Sequence, residues 1–201
     1  MDTARWSFFS ECMANLDKPP GTLVKMTRSI NIAANLNRGV QRLLADERLR
    51  WLLIMGDDHA FANDYLQKLL DRNVQAVVSV VSNRQPPFNI LAWQSEGVPV
   101  SKADLPATGL HPIYASGSAG LLVRREVFEL LPQPWFENSN GILADEDTNF
   151  CRKLAAHEIA LHLDTEVRLG HIGSFIATPR VQDGTWGTEI NFGDGVALFM
   201  Q

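Results

Sequence analysis

The sequence predicts an α/β fold in which a mostly parallel sheet is flanked by helices, with a smaller antiparallel excursion. The first observation is an alternation of patterns: amphipathic helix patterns at residues 3–16 and 32–44 are interleaved with strand patterns at residues 22–27, 51–55 and 76–81. Such alternation favours parallel strands joined by crossover helices. The second observation is that residues 51–55 and 76–81 are almost continuously apolar, which is typical of strands buried on both faces.

The elements of the first 82 residues follow from their spacing. The first helix has apolar residues at three- and four-residue steps, and so does the second; these are Trp6, Phe9, Met13 and Leu16, then Ile32, Leu36, Val40, Leu43 and Leu44. The strand at residues 51–55 leads into a polar stretch. Asn63 is placed to cap a third helix, which precedes the strand at residues 76–81.

The chain changes character after residue 82. A Pro-containing break at residues 83–87 introduces the antiparallel excursion, which extends to about residue 115. A glycine turn, Gly117 to Gly120, then precedes a short strand and a helix at residues 125–131. Another helix begins at the acidic cluster of residues 145–147, and strands follow at residues 159–163 and 166–169. Residues 174–201 give no firm assignment.

Composition limits the class of protein. The chain has 201 residues, 45% of them hydrophobic and 20% charged, which is typical of one globular domain. The net charge of −5 argues against a nucleic-acid partner. No apolar run reaches the roughly 20 residues of a membrane helix, and the amino terminus lacks the order of a secretory signal. We therefore expect a cytoplasmic protein with no membrane segment, in which Cys12 and Cys151 are reduced.

Three polar residues, Asp57, Asp58 and His59, follow the apolar strand at residues 51–55. Open α/β sheets bind ligands outside the carboxyl ends of their strands. In an extended segment Asp57 and His59 point to the same side, because side chains alternate with a period of two. This pair could therefore bind one cation. The alternative is a polar turn that merely ends the strand.

Several motifs occur in a characteristic order: DDH at residues 57–59, NDYL at 63–66, a small Gly-rich strand, EDTNFCRK at 146–153 and GHIG at 170–173. In this order the chain, over residues 32–173, resembles the nucleotide-sugar glycosyltransferases of the A-type, Rossmann-like fold, in particular their family 2-like members from phages and bacteria. The fold of that family normally opens with a strand whose loop holds the nucleoside base. This first strand is apparently missing, since the chain begins in a helix.

The resemblance implies transfer of a sugar from a nucleotide-sugar donor to a saccharide or another hydroxyl acceptor. In the family a divalent cation neutralises the diphosphate leaving group. Asp57 and His59 match the family's metal motif, His171 resembles a third ligand from a late strand, and Asp58 would face the ribose or sugar. Mixed oxygen and imidazole ligands suit Mn²⁺ better than Mg²⁺. His171 could equally be an ordinary loop histidine.

The acidic cluster has two readings. Acids in the first turn of a helix are favoured by its unpaired amides and its macrodipole, which alone explains Asp145, Glu146 and Asp147. In inverting relatives, however, an acid at this place takes the proton from the acceptor hydroxyl. The resemblance therefore implies Asp147 as the catalytic base, with Glu146 as second choice. In a retaining enzyme the same acids would only position the acceptor.

Four further residues take roles from the resemblance. Arg84 could bind a donor phosphate or the acceptor through its guanidinium, although a loop arginine is commonly just solvated. Asn37 stands where relatives carry an Arg-Asn pair that contacts the donor, but residue 36 is Leu here. Gly117 and Gly120 would lie beneath the acceptor, with tight backbone packing as the alternative reading.

These roles divide the single predicted domain, residues 1–201, into a nucleotide-binding half at 1–82, an acceptor and catalytic half at 83–173, and an unassigned tail at 174–201. Two other functions remain open. A decayed transferase would keep the fold and act only as a binding domain. A metal-dependent phosphoesterase would use the same Asp and His residues for hydrolysis, usually with more closely spaced histidines than this chain offers.

Overall fold

The computed structural model describes residues 3–29, 31–84, 87–139, 145–173, 175–191 and 197–200. The helices are α1 (Thr3–Asn15), α2 (Ile32–Leu44), α3 (Tyr65–Asp71), α4 (Arg125–Leu130) and α5 (Glu146–Ala156). The strands are β1 (Trp51–Ile54), β2 (His59–Ala60), β3 (Ala76–Val81), β4 (Ala92–Ser95), β5 (Val98–Pro99), β6 (Leu110–Ile113), β7 (Ala115–Ser116), β8 (Leu121–Arg124), β9 (Leu161–Ile172), β10 (Ile176–Gln182), β11 (Thr185–Asn191) and β12 (Ala197–Met200).

Within the described residues the main sheet has nine strands and is mixed. Its strands run in the order β1-β8-β3-β9-β10-β11-β12, and β2 and β6 pair with β9 as well. Among the described pairs only β3 and β9 are parallel; the others are antiparallel. The prediction of a mostly parallel, Rossmann-like sheet flanked by helices is therefore wrong. A second sheet, β5-β4-β7, is antiparallel throughout and falls where the sequence predicted the excursion.

The parallel prediction was wrong for two reasons. Consecutive strands β1 and β3 do not pair, because β8 inserts between them and runs antiparallel to both, with Trp51 opposite Arg124 and Ala76 opposite Val123. The pattern at residues 22–27 forms no strand, and its Leu23, Val24 and Met26 side chains are exposed. Apolar periodicity identifies strands but does not say which strands become neighbours.

Most local elements lie where their patterns predicted them. Strand β3 spans the predicted residues 76–81, all of them buried, and α2 and α5 begin within a residue of the predicted starts. The two strands predicted at residues 159–163 and 166–169 are one strand, β9, of 12 residues. The tail, which the sequence left unassigned, contributes the antiparallel strands β10, β11 and β12.

The largest hydrophobic core is drawn from both sequence-predicted halves. It includes Val40, Val78 and Leu163, and its aromatic centre is a row of rings in which Phe150 stacks on Phe128 and Phe136 at centroid distances of 5.7 and 4.5 Å. Stacked buried rings of this kind pack α5 against α4 and the segment that contains Phe136. Cys12 and Cys151 are both free thiols, as predicted. None of the helices in the described part of the chain has the length and apolarity needed to cross a bilayer.

Candidate functional site

The DDH stretch forms a turn, so its side chains do not alternate as they would in a strand. Strand β1 ends at Ile54, Asp57 and Asp58 lie in the turn, and β2 begins at His59. Asp57 is exposed, whereas Asp58 is largely buried and directs its carboxylate towards His59. The expected pairing of Asp57 with His59 therefore needs a correction: Asp58 is the acid in contact with the histidine, because the period-two argument holds only for extended backbone.

His59 and His171 are brought together by sheet pairing. Strands β2 and β9 are antiparallel, with His59 directly opposite His171, and the backbone N–H of Ile172 donates to the carbonyl of Asp58 at 2.7 Å. The two imidazole rings stack with a centroid distance of 4.7 Å and an interplanar angle of 19°. The sequence predicted both histidines for one site, and the structure places them side by side.

The Asp58 carboxylate bridges the two rings. Its Oδ1 lies 2.9 Å from Nδ1 of His59, and its Oδ2 lies 3.1 Å from Nε2 of His171. Each of the three residues offers one ligand atom, and these atoms all lie within 4.8 Å of one another. One carboxylate oxygen and two imidazole nitrogens at this separation form a candidate site for a divalent transition metal. We call Asp58, His59 and His171 the metal triad.

The hydrogen bonds around the rings leave nitrogen lone pairs for a cation. Nδ1 of His171 lies 3.0 Å from the carbonyl oxygen of Ser82, and since a carbonyl only accepts, Nδ1 carries the hydrogen and donates. Its Nε2 therefore faces Asp58 and is available as a ligand atom, with the carbonyl fixing the ring as in known metal sites. Nε2 of His59 is buried and has no hydrogen-bond partner among the described residues. The other ring nitrogen of His59, Nδ1, faces the Asp58 carboxylate, so the unpartnered Nε2 keeps a lone pair that could bind a cation.

Asp58 is ionised at neutral pH. Burial by itself raises the pKa of this carboxyl, but the neighbouring imidazoles of His171 and His59 outweigh burial and hold the pKa well below its ordinary value. The carboxylate therefore contributes a full negative charge to the metal triad, which is the form that a cation requires.

A bulge in β9 moves His171 into the site. Ser79 of β3 pairs with Asp164, but the next residue, Val80, pairs with Arg168, so residues 165–167 are extra. In an unbroken ladder Val80 would pair with residue 165 instead of Arg168. His171 would then lie beside a position three residues further along the chain that follows β3. The bulge therefore brings His171 to the end of β3, where the carbonyl of Ser82 fixes its ring.

Arg72 anchors this bulge from the end of α3. Its guanidinium donates to both carboxylate oxygens of Asp164, at 2.7 and 3.2 Å, and to Glu166 at 2.6 Å. Asp164 is fully buried, and its Oδ1 also accepts the backbone N–H of Glu166 at 3.0 Å. A buried carboxylate with a bidentate arginine partner holds its backbone firmly. The sequence analysis did not find this pair, because its members are 92 residues apart.

Arg84 lies at the rim of the metal triad. Its NH1 is 3.2 Å from Oδ2 of Asp58, and its side chain is 44% exposed, compared with 14% for Asp58. The sequence predicted Arg84 as a phosphate-binding residue of the donor site. The structure places it next to the triad, with its guanidinium open to solvent.

Gly56 permits the close packing of the triad, a role that the sequence analysis did not find. A Cβ atom at this position would lie 2.6 Å from Oδ1 of Asp58 and 2.9 Å from the ring of His59. Both distances are well inside van der Waals contact, so only glycine fits beside the carboxylate. A glycine between a buried strand and an Asp-Asp-His turn was the available signal.

Asp147 lies next to the glycine turn at Gly117. A Cβ atom on Gly117 would be 3.7 Å from Oδ2 of Asp147, and Oδ1 accepts the backbone N–H of Thr148 at 2.7 Å. Burial raises the pKa of Asp147, and hydrogen bonds from the N–H groups of Thr148 and Ser118 offset only part of that effect. A partly buried carboxyl with a raised pKa is suited to accept a proton.

The glycine turn also contacts the strand that leads to the metal triad. The N–H of Gly120 donates to the carbonyl of Ile54 at 2.8 Å, at the end of β1. Gly120 has a φ of +74°, and a Cβ there would collide with the hydroxyls of Ser79 and Tyr65, which bond to each other at 2.6 Å. The predicted alternative of tight backbone packing therefore applies to Gly120, whereas Gly117 adjoins a functional candidate.

The two neighbours of Asp147 differ in their surroundings. Glu146 is buried, its Oε2 has no hydrogen-bond partner among the described residues, and burial together with the charges of Asp147 and Asp145 raises its pKa. Asp145 precedes α5 and accepts the N–H of Ser139 at 2.9 Å, which lowers its pKa. Asp147 thus combines partial exposure with a raised pKa, while Asp145 acts as a structural acceptor.

Asn37 is bonded to the backbone of Phe136. Its Nδ2 donates to the carbonyl of Phe136 at 2.7 Å, and its Oδ1 accepts the N–H of Phe136 at 3.1 Å. This two-way bond ties α2 to the segment before α5. Among the described residues Asn37 therefore makes a structural contact, which residue spacing alone does not reveal.

The fold and the site together define a mixed α/β protein with a candidate metal centre where β2 pairs with β9, next to the end of β3. No protein-family model matches the chain, and no curated protein matches it. Solved structures do match it. One is the crystal structure of A197 from STIV, with a TM-score of 0.64 over 98% of this chain and 91% of that chain, at 14% sequence identity. This likeness shows a shared fold.

Proposed function

We propose that the chain is a metal-dependent glycosyltransferase that moves a sugar from a nucleotide-sugar donor to a hydroxyl acceptor. The observation that carries the proposal is the convergence of Asp58, His59 and His171 from two distant segments onto one candidate cation site. The ordered sequence motifs support it independently, because they supply the same two histidines. The alternative of a cation-free structural cluster leaves the buried Nε2 of His59 without a partner among the described residues.

The metal triad would hold Mn²⁺ or Mg²⁺, and its two imidazoles favour Mn²⁺. A cation there would neutralise the negative charge that develops on a diphosphate leaving group. Asp58 supplies the anionic ligand, and the carbonyl of Ser82 holds His171 in the orientation that exposes Nε2. Arg84 stands beside the triad and is exposed enough to contact an anionic ligand.

Asp147 is the proposed base. Its carboxylate would accept the proton of the acceptor hydroxyl as the acceptor oxygen forms a bond to the sugar carbon. The bond between that carbon and the donor's phosphate oxygen breaks, and its electron pair leaves with the diphosphate. Gly117 leaves the space beside Oδ2 of Asp147 open, because it has no side chain. Glu146 is buried and is the second candidate.

The experiment is a calorimetric titration of the protein with UDP, GDP, CDP and dTDP, each with and without Mn²⁺. We expect one nucleotide to bind only with Mn²⁺, and this binding to be lost in Asp58→Asn and His171→Gln. Incubation with the matching nucleotide sugars and simple saccharides, followed by mass spectrometry, then tests transfer. Asp147→Asn should reduce transfer by about 100-fold or more and leave nucleotide binding intact. Absence of any nucleotide binding would overturn the proposal.

A metal-dependent phosphoesterase is the second candidate, and one observation favours it. Two of the three triad residues are histidines, a proportion that is common in hydrolytic zinc sites. Metal-dependent release of nitrophenol from a generic phosphate ester, lost in Asp58→Asn, would support this candidate. Nucleotide binding without ester hydrolysis would exclude it.

A further inference from the structure

Arg84 and a cation bound by the metal triad would compete for one oxygen atom of Asp58. Oδ2 of Asp58 lies 3.2 Å from NH1 of Arg84 and 3.1 Å from Nε2 of His171. This same oxygen faces the nitrogen that would be a ligand of the cation. A guanidinium and a divalent cation beside one carboxylate oxygen repel each other strongly, because like charges at this range interact by several times the thermal energy even near a protein surface.

The backbone around Arg84 is fixed, while its head group has room to move. Ser82, two residues earlier, bridges to Ile90 and binds His171 through its carbonyl, and the N–H of Asn83 donates to Asn89 at 2.8 Å. The guanidinium, by contrast, belongs to a side chain that is 44% exposed. A Cβ on Gly173 would lie 4.0 Å from Cδ of Arg84, so the absence of a side chain at residue 173 leaves that point beside Arg84 clear.

We propose that Arg84 is an exchange residue: it pairs with Asp58 when the metal triad is empty, and it turns to the anionic phosphates of the ligand when a cation takes its place. The proposal rests on the function proposed above and adds a coupling between cation and phosphate binding. The cation releases the guanidinium, and the released guanidinium offers a charged, forked donor to phosphate oxygens. Arg84 therefore opposes binding of the cation alone and favours binding of the cation with its anionic ligand.

The exchange predicts effects of opposite sign from one substitution. In Arg84→Gln the cation no longer has to displace a guanidinium, so Mn²⁺ alone should bind about threefold to tenfold more tightly. Pyrophosphate, added at saturating Mn²⁺, should bind about tenfold or more weakly, because a charge-assisted pair is lost. A residue with a purely structural role would weaken both. A residue that only attracts anions would leave the affinity for Mn²⁺ unchanged.

The test uses calorimetry on the full chain, with MnCl₂ and inorganic pyrophosphate as the probes. Arg84→Lys keeps the charge, so its affinity for Mn²⁺ should stay close to that of the natural protein. Its affinity for pyrophosphate should fall by less than that of Arg84→Gln. Arg48→Gln is the matched control: it removes the same charge from a site where the arginine is 87% exposed and pairs with Asp46, and it should change neither affinity.

The outcomes separate this inference from the proposed function. Binding of Mn²⁺ that is unchanged or weaker in Arg84→Gln would overturn the exchange and leave the metal triad intact. No binding of Mn²⁺ to the natural protein would overturn both. Opposite shifts in Arg84→Gln without detectable sugar transfer would support the exchange and count against the transferase.

Discussion

Nε2 of His171 lies 3.1 Å from Oδ2 of Asp58, although the two residues are 113 positions apart in the chain. Three features of the fold create this contact: the pairing of β2 with β9, the bulge in β9 and the carbonyl of Ser82 that fixes the imidazole. The contact decides which of two adjacent aspartates belongs to the candidate metal site. It also makes each of these supporting features testable.

The first prediction separates Asp58 from Asp57. Asp58→Asn should lower the affinity for Mn²⁺ by about 100-fold or more, because a charged ligand is lost, and outer-shell changes alone commonly cost 10-fold to 100-fold. Asp57→Asn, at the exposed neighbouring position, should change it by about threefold at most. Calorimetric titration of both variants checks this. A larger loss in Asp57→Asn than in Asp58→Asn would show that the assignment is reversed.

The second prediction concerns Gly56. A methyl group there would lie 2.6 Å from Oδ1 of Asp58, so Gly56→Ala should displace the carboxylate and lower the unfolding free energy by about 1–3 kcal/mol. Gly39→Ala is the control, because its Cβ would meet only Leu52 at 3.8 Å within α2. It should be neutral or stabilising by up to about 1 kcal/mol. Denaturant titration measures both, and equal effects would contradict the close-packing argument.

The third prediction is a pH dependence at Asp147. Its folded-state pKa lies above the ordinary 3.8, so the folded protein holds this proton more tightly than the unfolded chain. The contribution of Asp147 to the unfolding free energy is therefore fully present below pH 3.8. It is lost as the pH rises through the raised pKa. Asp147→Asn removes that loss, so its melting temperature should exceed that of the natural protein at pH 7, with the gain shrinking towards pH 3.8.

Asp145→Asn provides the opposite case to Asp147. The hydrogen bond from Ser139 lowers the pKa of Asp145, so its contribution to stability is present above 3.8 and is lost as the pH falls through the lowered pKa. The asparagine variant should melt at a lower temperature than the natural protein at pH 7. Thermal scans from pH 3 to pH 8 measure both variants, and shifts of the same sign would refute the assignment.

The fourth prediction concerns Arg72. Arg72→Ala leaves the fully buried Asp164 carboxylate without its charged partner and should lower the unfolding free energy by about 3 kcal/mol. It should also weaken Mn²⁺ binding, because the bulge that positions His171 loses its anchor. Lys68→Ala is the control, because it breaks an ion pair with Asp64 in which both side chains are half-exposed. It should lower the unfolding free energy by about 0.5 kcal/mol at most. Destabilisation without any loss of Mn²⁺ affinity would show that the bulge does not depend on Arg72.

The sequence by itself determined the local elements and most of the site candidates. Apolar spacing located α2, β3 and α5, because helix and strand periods are properties of a short segment. The DDH and GHIG motifs identified His59 and His171, and the EDT start of α5 identified Asp147. Each of these signals is carried by residues that are close together in the chain.

Tertiary structure decided the rest. Whether the sheet is parallel or antiparallel depended on β8, which inserts between β1 and β3 and is contributed by a segment about 50 to 70 residues from them. Asp58 and not Asp57 contacts His59 because residues 57–58 form a turn and not a strand. The position of His171 depended on a bulge in β9 that Arg72 holds in place. Strand neighbours, turns and bulges are set by long-range pairing and packing, which local periodicity does not encode.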